Sequence, residues 1–277
     1  MKKFGIVTNE IKDPNMEVTN RICSYLKSKD ASFVVLKDVR DLETEEDVEC
    51  MLVLGGDGTM LQAADGMAGK NIPMIGVNLG TLGFLSEVEL DNLEEALEQL
   101  ICDEYSFDER IMLQGHIEGR DSVKELSPAL NDISITRCGS LQIISLKISV
   151  NGQFLCRWNA DGIIISTPTG STGYNMSAGG PIVEPGANLI VLTPICAHTL
   201  NARSIVLSAE ECVEIEIDNG HNGSILQLEA NSDGSDRISM ETGDKIIISK
   251  AENTTKIIKL SKMSVLEILH KKMGDYK

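Results

Sequence analysis

No apolar run in the 277-residue sequence reaches the roughly 18 residues that a membrane span needs. Positive charge is in short supply. Lys and Arg number 25 against 42 Asp and Glu, a formal net charge of −17. That sign repels nucleic-acid backbones and anionic membranes, so neither is expected as a partner. An anionic ligand would need backbone amides, a few local cations or a metal ion. Cys-x-x-Cys pairs are missing. Seven dispersed cysteines (Cys23, Cys50, Cys102, Cys138, Cys156, Cys196, Cys212) fit reduced thiols better than a disulfide framework or a zinc site. The opening MKKFGIVTNE turns polar too soon for a secretory signal, and a cytoplasmic protein is expected. The Gly-x-Gly-x-x-Gly dinucleotide fingerprint and the Gly-x-x-x-x-Gly-Lys phosphate loop are both absent, so neither an ordinary dehydrogenase nor a P-loop enzyme is supported.

What is present is a core. Hydrophobic residues make up 42% and charged residues 24% of the chain, enough for one large or two ordinary globular domains. The first hundred residues alternate strand and helix signals. FGIVTN (4–9), SFVVLK (32–37), CMLVLGG (50–56) and IPMIGVNLG (72–80) read as strands. Val18, Ile22 and Leu26 have helical spacing, and a helix over 91–102 starts with a capping-box-like Asp91 and Glu94. Such alternation predicts an α/β domain with a Rossmann-like parallel sheet over residues 1–103. Short β-branched, period-two runs follow, including DISITR, DGIIIST, VEIEID, ILQLEA, KIIIS and KIIKL. They predict an all-β, antiparallel, sandwich-like domain over 104–256. SVLEILHKKMG (264–274) returns to helical spacing, which predicts that the segment 257–277 forms a C-terminal tail helix packing back on the first domain.

In LVLGGDGTML (52–61) an aspartate stands among glycines where a buried strand meets a helix. Open α/β sheets bind ligands at the carboxyl ends of their strands. Gly55 and Gly56 let a ligand approach the backbone. Gly58 and Thr59 are expected to begin the helix, whose free N–H groups and positive dipole end attract phosphate. Asp57 beside that site can orient or deprotonate a hydroxyl, or hold a metal bound to phosphates. The plainer alternative is a helix N-cap.

GGDGT (55–59) resembles the motif shared by NAD kinases, diacylglycerol- and sphingosine-type lipid kinases and, more loosely, phosphofructokinases. NLGTLGFLSE (78–87), ALNDISITR (129–137), DGIIISTPTGSTGYNMSAGGPIVEP (161–185) and LTPICAHTL (192–200) are similar to further segments of NAD kinases alone. The resemblance implies transfer of the terminal phosphoryl of ATP to the 2′-hydroxyl of the adenosine ribose of NAD, with Asp57 as general base. It implies phosphate contacts from Gly55, Gly56, Gly58 and Thr59. It implies NAD contacts from Gly58, Phe84, Asn131, Asp132, Asn159, Asp161, Thr172, Gly173, Tyr174, Asn175, Met176 and Ser177. Mg²⁺ or another divalent cation would accompany ATP or polyphosphate, with no metal ligand assigned among the residues. A homotetramer or homodimer is implied too.

On residue chemistry alone, Asn131-Asp132 could be a turn and Phe84 a core residue. His198 is expected to be structural, bonded to a backbone carbonyl. The chain departs from the family pattern in four places. Asp132 stands where many relatives have glutamate, Gly173 where alanine is usual, and Ala197 where proline usually precedes the histidine. MLQAAD (60–65) lacks an arginine often found there, which removes one cation for the triphosphate. The alternatives are a lipid kinase sharing GGDGT, disfavoured by the acidic charge and the lack of a basic amphipathic helix, and a non-catalytic NAD-binding regulator.

Overall fold

The computed structural model describes residues 1–42, 47–80, 83–120, 122–139, 143–199, 201–220 and 223–260, with Glu267, Leu269 and His270. The chain forms two compact units, Met1–Arg110 with Thr254–Lys277, and Ile111–Asn253.

In the first unit, β1 (Lys3–Thr8), β2 (Ser32–Leu36), β3 (Cys50–Gly55) and β4 (Met74–Asn78) form a parallel sheet in the order β2-β1-β3-β4. β5 (Ser86–Val88) joins β4. Helix α1 (Glu17–Ser28) links β1 to β2, α2 (Asp57–Gly66) links β3 to β4, and α3 (Leu93–Ile101) follows β5. β3 and β4 are buried along their whole length, as expected of parallel strands covered on both faces. Phe4, Ile6, Leu52, Leu54, Ile75 and Val77 from the sheet pack with Ile22 and Leu26 of α1 and Leu93, Leu97 and Leu100 of α3. Each such side chain contributes roughly 1.5–3 kcal/mol on burial. The helix expected from residue 91 begins instead as a 3₁₀ turn over Leu90–Asn92, and α3 opens at Leu93 with no side-chain cap. Leu93 is fully buried, and its burial outweighs a cap worth about 1 kcal/mol.

In the second unit the strands are antiparallel. They begin with β6 (Ser106–Glu118), β7 (Val123–Glu125), β8 (Asp132–Arg137), β9 (Ile144–Val150), β10 (Gln153–Ala160) and β11 (Gly162–Ser166). The four-residue helix α4 (Tyr174–Ser177) follows. The remaining strands are β12 (Leu189–Ile195), β13 (Ile205–Ser208), β14 (Val213–Ile217), β15 (Gln227–Ser232), β16 (Asp236–Glu241) and β17 (Lys245–Lys259). One sheet runs β10-β9-β14-β17 and the other β13-β12-β11-β8-β15-β16. Their alternating apolar residues meet in one core: Leu146, Ile148, Val213, Ile215, Ile246 and Ile248 from the first sheet, and Ile133, Ile135, Ile163, Ile165, Leu192 and Leu228 from the second. This is a sandwich.

The runs KIIIS and KIIKL, expected as two strands, are one strand, because the KAENTT between them holds no glycine or proline to break it. The chain passes from the first unit to the second inside β6 and returns inside β17, so no break in pattern marks either boundary. Beyond Leu260 the expected tail helix falls almost wholly outside the described residues.

Candidate active site

β3 ends at Gly55, and Gly56, in extended backbone, caps α2. The helix therefore starts at Asp57, one residue earlier than expected, and Asp57 is not its N-cap. The Asp57 carboxylate instead accepts the backbone N–H groups of Phe84 at 2.9 Å and Leu85 at 3.0 Å. This contact ties the start of α2 to the segment that leads into β5. A carboxylate has about four lone-pair sites, so two remain for a substrate hydroxyl. Gly83 makes the approach possible, since a Cβ there would lie 1.9 Å from Asp57 Oδ1. Phe84 is half-buried, with its backbone on Asp57. Thr59 Oγ1 accepts from Asn9 Nδ2 at 3.4 Å, so the glycine turn is tied to the chain just after β1. A Cβ at Gly58 would meet no atom of the described residues within 4 Å. Nothing in the described fold itself demands glycine there.

In the second unit, Asn131 and Asp132 stand at the start of β8, held by an unforeseen residue. The Asp233 carboxylate accepts the N–H groups of Leu130 at 2.7 Å, Asn131 at 2.9 Å and Asp132 at 3.0 Å. Asp233 lies in the hairpin between β15 and β16, with a left-handed φ of 47° that aspartate tolerates. Asp132 is 7% exposed. Burial first, and the charge of Asp233 second, push its carboxyl up to about 7.

The Asn131 carbonyl accepts Thr167 N–H at 2.8 Å, and Thr167 Oγ1 donates to the Leu130 carbonyl at 2.6 Å. A Cβ at Gly170 would lie 2.1 Å from the Asn131 oxygen, and one at Gly173 would lie 3.4 Å from its side-chain nitrogen. The structure thus brings Asn131 and Asp132 together with the turn over Thr169–Thr172 and with α4. Tyr174 and Met176 are exposed at 43% and 42%, Ser177 is exposed, and Thr172 and Gly173 are half-buried. Asn175 differs from its neighbours. It is fully buried, donating to the carbonyls of Ser171 at 3.1 Å and Pro181 at 2.9 Å and accepting from Thr193 Oγ1 at 2.6 Å. Its amide braces the loop.

Asp161, just before β11, pairs with Arg137 at 3.2 Å and faces His198 Nε2 at 3.5 Å. The Arg137 guanidinium, foremost, holds the Asp161 carboxyl below the usual range. The His198 ring therefore meets a carboxylate rather than the backbone carbonyl expected of it. Its backbone N–H donates to the carbonyl of Asn159 at 2.8 Å, and the Asn159 side chain is exposed.

Comparison with known proteins decides what these two constellations belong to. Residues 35–105 match the family model of the ATP-NAD kinase N-terminal domain, and residues 130–260 that of the ATP-NAD kinase C-terminal domain. The chain is 46% identical over 285 residues to the NAD kinase of Agathobacter rectalis, with all of both chains covered. The chain belongs to the NAD kinase family. The NAD kinase of Lachnoclostridium phytofermentans is 41% identical, covering 99% of this chain and 100% of that protein. Two solved structures share the fold. Yeast NADH kinase complexed with NADH matches with a TM-score of 0.87 at 24% identity, over 100% of this chain and 88% of that one. An NAD kinase from Archaeoglobus fulgidus in complex with ATP matches with a TM-score of 0.80 at 23% identity, over 99% and 100%. The C-terminal match lies outside GGDGT, so it sets aside the lipid-kinase reading that the glycine motif left open.

The contacts of Asp233, Asn9 and Arg137 with Asn131-Asp132, Thr59 and Asp161 were not legible in the sequence. Asp233-Gly234 reads as a hairpin turn, Asn9 as a strand end and Arg137 as the polar end of a strand. Only the fold joins each to its partner.

Proposed function

We propose that the chain transfers the terminal phosphoryl of ATP, or of polyphosphate in its place, to the 2′-hydroxyl of the adenosine ribose of NAD, giving NADP. The observation that carries this reading is the fixed carboxylate of Asp57 at the N-terminal end of α2, beside a glycine whose missing side chain no described atom requires. The first N–H groups of α2 would bind the phosphates together with the Gly55–Gly56 turn and Thr59. Asp57, through its remaining lone pairs, would orient the ribose hydroxyl in line with the phosphorus and take its proton. A loose phosphoryl-transfer transition state releases that proton late, so a weak base is sufficient. Asn131 and Asp132 would read adenosine hydroxyl or amine groups, with Thr172, Gly173, Tyr174, Met176 and Ser177 walling the dinucleotide and Asp161 near its nicotinamide end.

A divalent cation, Mg²⁺ or another, neutralises triphosphate charge when bound. Among the described residues no group of three or more His, Cys, Asp and Glu side chains is placed to hold one. The ion would ride chiefly on phosphate oxygens and water, as Mg²⁺ commonly does. No helix among the described residues is long and apolar enough to cross a membrane, and the cytoplasm is the proposed location.

The reaction is tested by incubating the protein with NAD and MgATP, then adding an NADP-specific dehydrogenase and its substrate. NADPH should appear. Its absence, with NAD still bound, would favour the non-catalytic regulator. Gly58→Ala should keep its melting temperature and raise KM for ATP or lower kcat, because the added methyl meets ligand rather than protein. Unchanged kinetics would remove the phosphates from that backbone.

The assembly proposed is a homotetramer or homodimer. The edge strands β10 and β13 carry Phe154 and Val206, 62% and 51% exposed, and unpaired edges with apolar side chains favour self-association. Light scattering at micromolar concentration should give a multiple of the single-chain mass, and a monomer would contradict the proposal.

A further inference from the structure

We infer that Lys12 is a phosphate-binding residue of the donor site and supplies the cation that α2 lacks. This rests on the kinase reading above and adds a residue to it. Helix α2, DGTMLQAADG, contains no Lys or Arg, and the chain carries a net charge of −17. A triphosphate brought to the Gly55–Thr59 turn therefore needs a positive charge from elsewhere.

The structure places one there. Lys12 Nζ lies where side chains on two separate turns would otherwise be. A Cβ built on Gly56 would be 3.0 Å from it, and one on Gly80 would be 3.3 Å from it. Gly56 follows β3 and Gly80 follows β4, so the ammonium lies over the carboxyl ends of adjacent parallel strands, where α/β sheets bind ligands.

The backbone that carries it is held. Asn9 N–H donates to the Leu54 carbonyl at 2.9 Å, and Lys12 N–H donates to the Asn9 carbonyl at 2.9 Å. Asn9 Oδ1 accepts from Ile11 N–H at 3.1 Å, and Asn9 Nδ2 reaches Thr59 Oγ1 at 3.4 Å. One asparagine thus ties the lysine turn to both the end of β3 and the threonine of the glycine motif. Among the described residues, Lys12 makes no ion pair of 4.0 Å or less, unlike Lys3, Lys29, Lys147, Lys245, Lys250 and Lys259. An exposed lysine with no carboxylate partner among the described residues keeps its charge available to a phosphate. A lysine acts on phosphate as a point charge with rotatable donors, which suits a donor that is either a nucleotide or polyphosphate.

The test is Lys12→Met, which keeps the apolar stem and removes the charge. Steady-state kinetics would be run against ATP and NAD separately, with ATP binding measured by calorimetry in the absence of NAD. A lost charge-assisted contact should raise both KM and Kd for ATP about tenfold to a hundredfold. KM for NAD should stay within a few-fold, and the melting temperature should not move, because among the described residues the ammonium has no carboxylate partner to lose. Lys12→Arg should restore most of the ATP affinity. Unchanged ATP affinity in Lys12→Met, or an equal loss for ATP and NAD, would overturn the inference. A wild-type protein whose ATP binding depends on Lys12 but which makes no NADP would sustain the inference and sink the kinase reading.

Discussion

Asp57→Asn will lower kcat at least about a hundredfold, as expected when a general base worth roughly 10²–10⁴ in rate is removed. KM for NAD should change little, since the amide can still meet a ribose hydroxyl. The structure adds a second consequence. Both carboxylate oxygens accept backbone N–H groups, from Phe84 and Leu85. Asparagine offers one oxygen and one NH₂, so one of those N–H groups would face another donor. An unsatisfied, partly buried donor costs about 1–3 kcal/mol, so the variant should also melt a few degrees lower. The two effects separate the roles. If Asp57 only held the segment before β5, the same loss of melting temperature would come with turnover within a few-fold of wild type.

The second large effect concerns Asp132. Asp132→Ala should raise KM for NAD about tenfold to a hundredfold, the loss of one hydrogen bond to a charged group. Because its carboxyl lies at about 7, the contact should depend on pH. The ionised form accepts ribose or amine protons more strongly than the neutral acid, so KM for NAD in the wild type should fall as pH rises through about 7. In Asp132→Asn the profile should lose that step. Stability runs the other way. An acid with a raised native pKa binds more protons folded than unfolded, so it costs stability as pH climbs from its unfolded value, 3.8, toward the native one. The shift from 3.8 to about 7 corresponds to roughly 4 kcal/mol. Asp132→Asn should therefore gain melting temperature over wild type above neutral pH and gain none at pH near 4. A flat wild-type KM profile, or no stability difference at either pH, would return Asp132 to an ordinary strand end.

The parts of the molecule that were legible beforehand are those whose signal is local. β1 to β4 announced themselves as short apolar runs closed by polar or glycine residues. Gly55, Gly56, Asp57, Gly58 and Thr59 stand in one turn, where spacing alone suggests phosphate. Two kinds of information were out of reach. Burial of Leu93 moved the start of α3, and a strand with no breaker ran through residues 245–259; both are outcomes of tertiary packing that overrides local cues. The supports of the candidate site residues are distant in sequence. Asp233 acts on amides about a hundred residues away, and Asn9 reaches Thr59 fifty residues on. The sequence singled out Asp57 as a candidate but not its partners, because backbone amides of Phe84 and Leu85 carry no side-chain signature. Asn175 sat in the expected stretch, yet its buried amide serves the loop.

The proposed catalysis requires Asp57 to act at the ribose. A crystal structure of the protein with NAD bound measures this directly. An Asp57 carboxylate oxygen should lie within about 2.6–3.2 Å of the adenosine 2′-oxygen, the distance over which a base takes a proton. An NAD bound with that oxygen beyond the reach of the Asp57 side chain would contradict it.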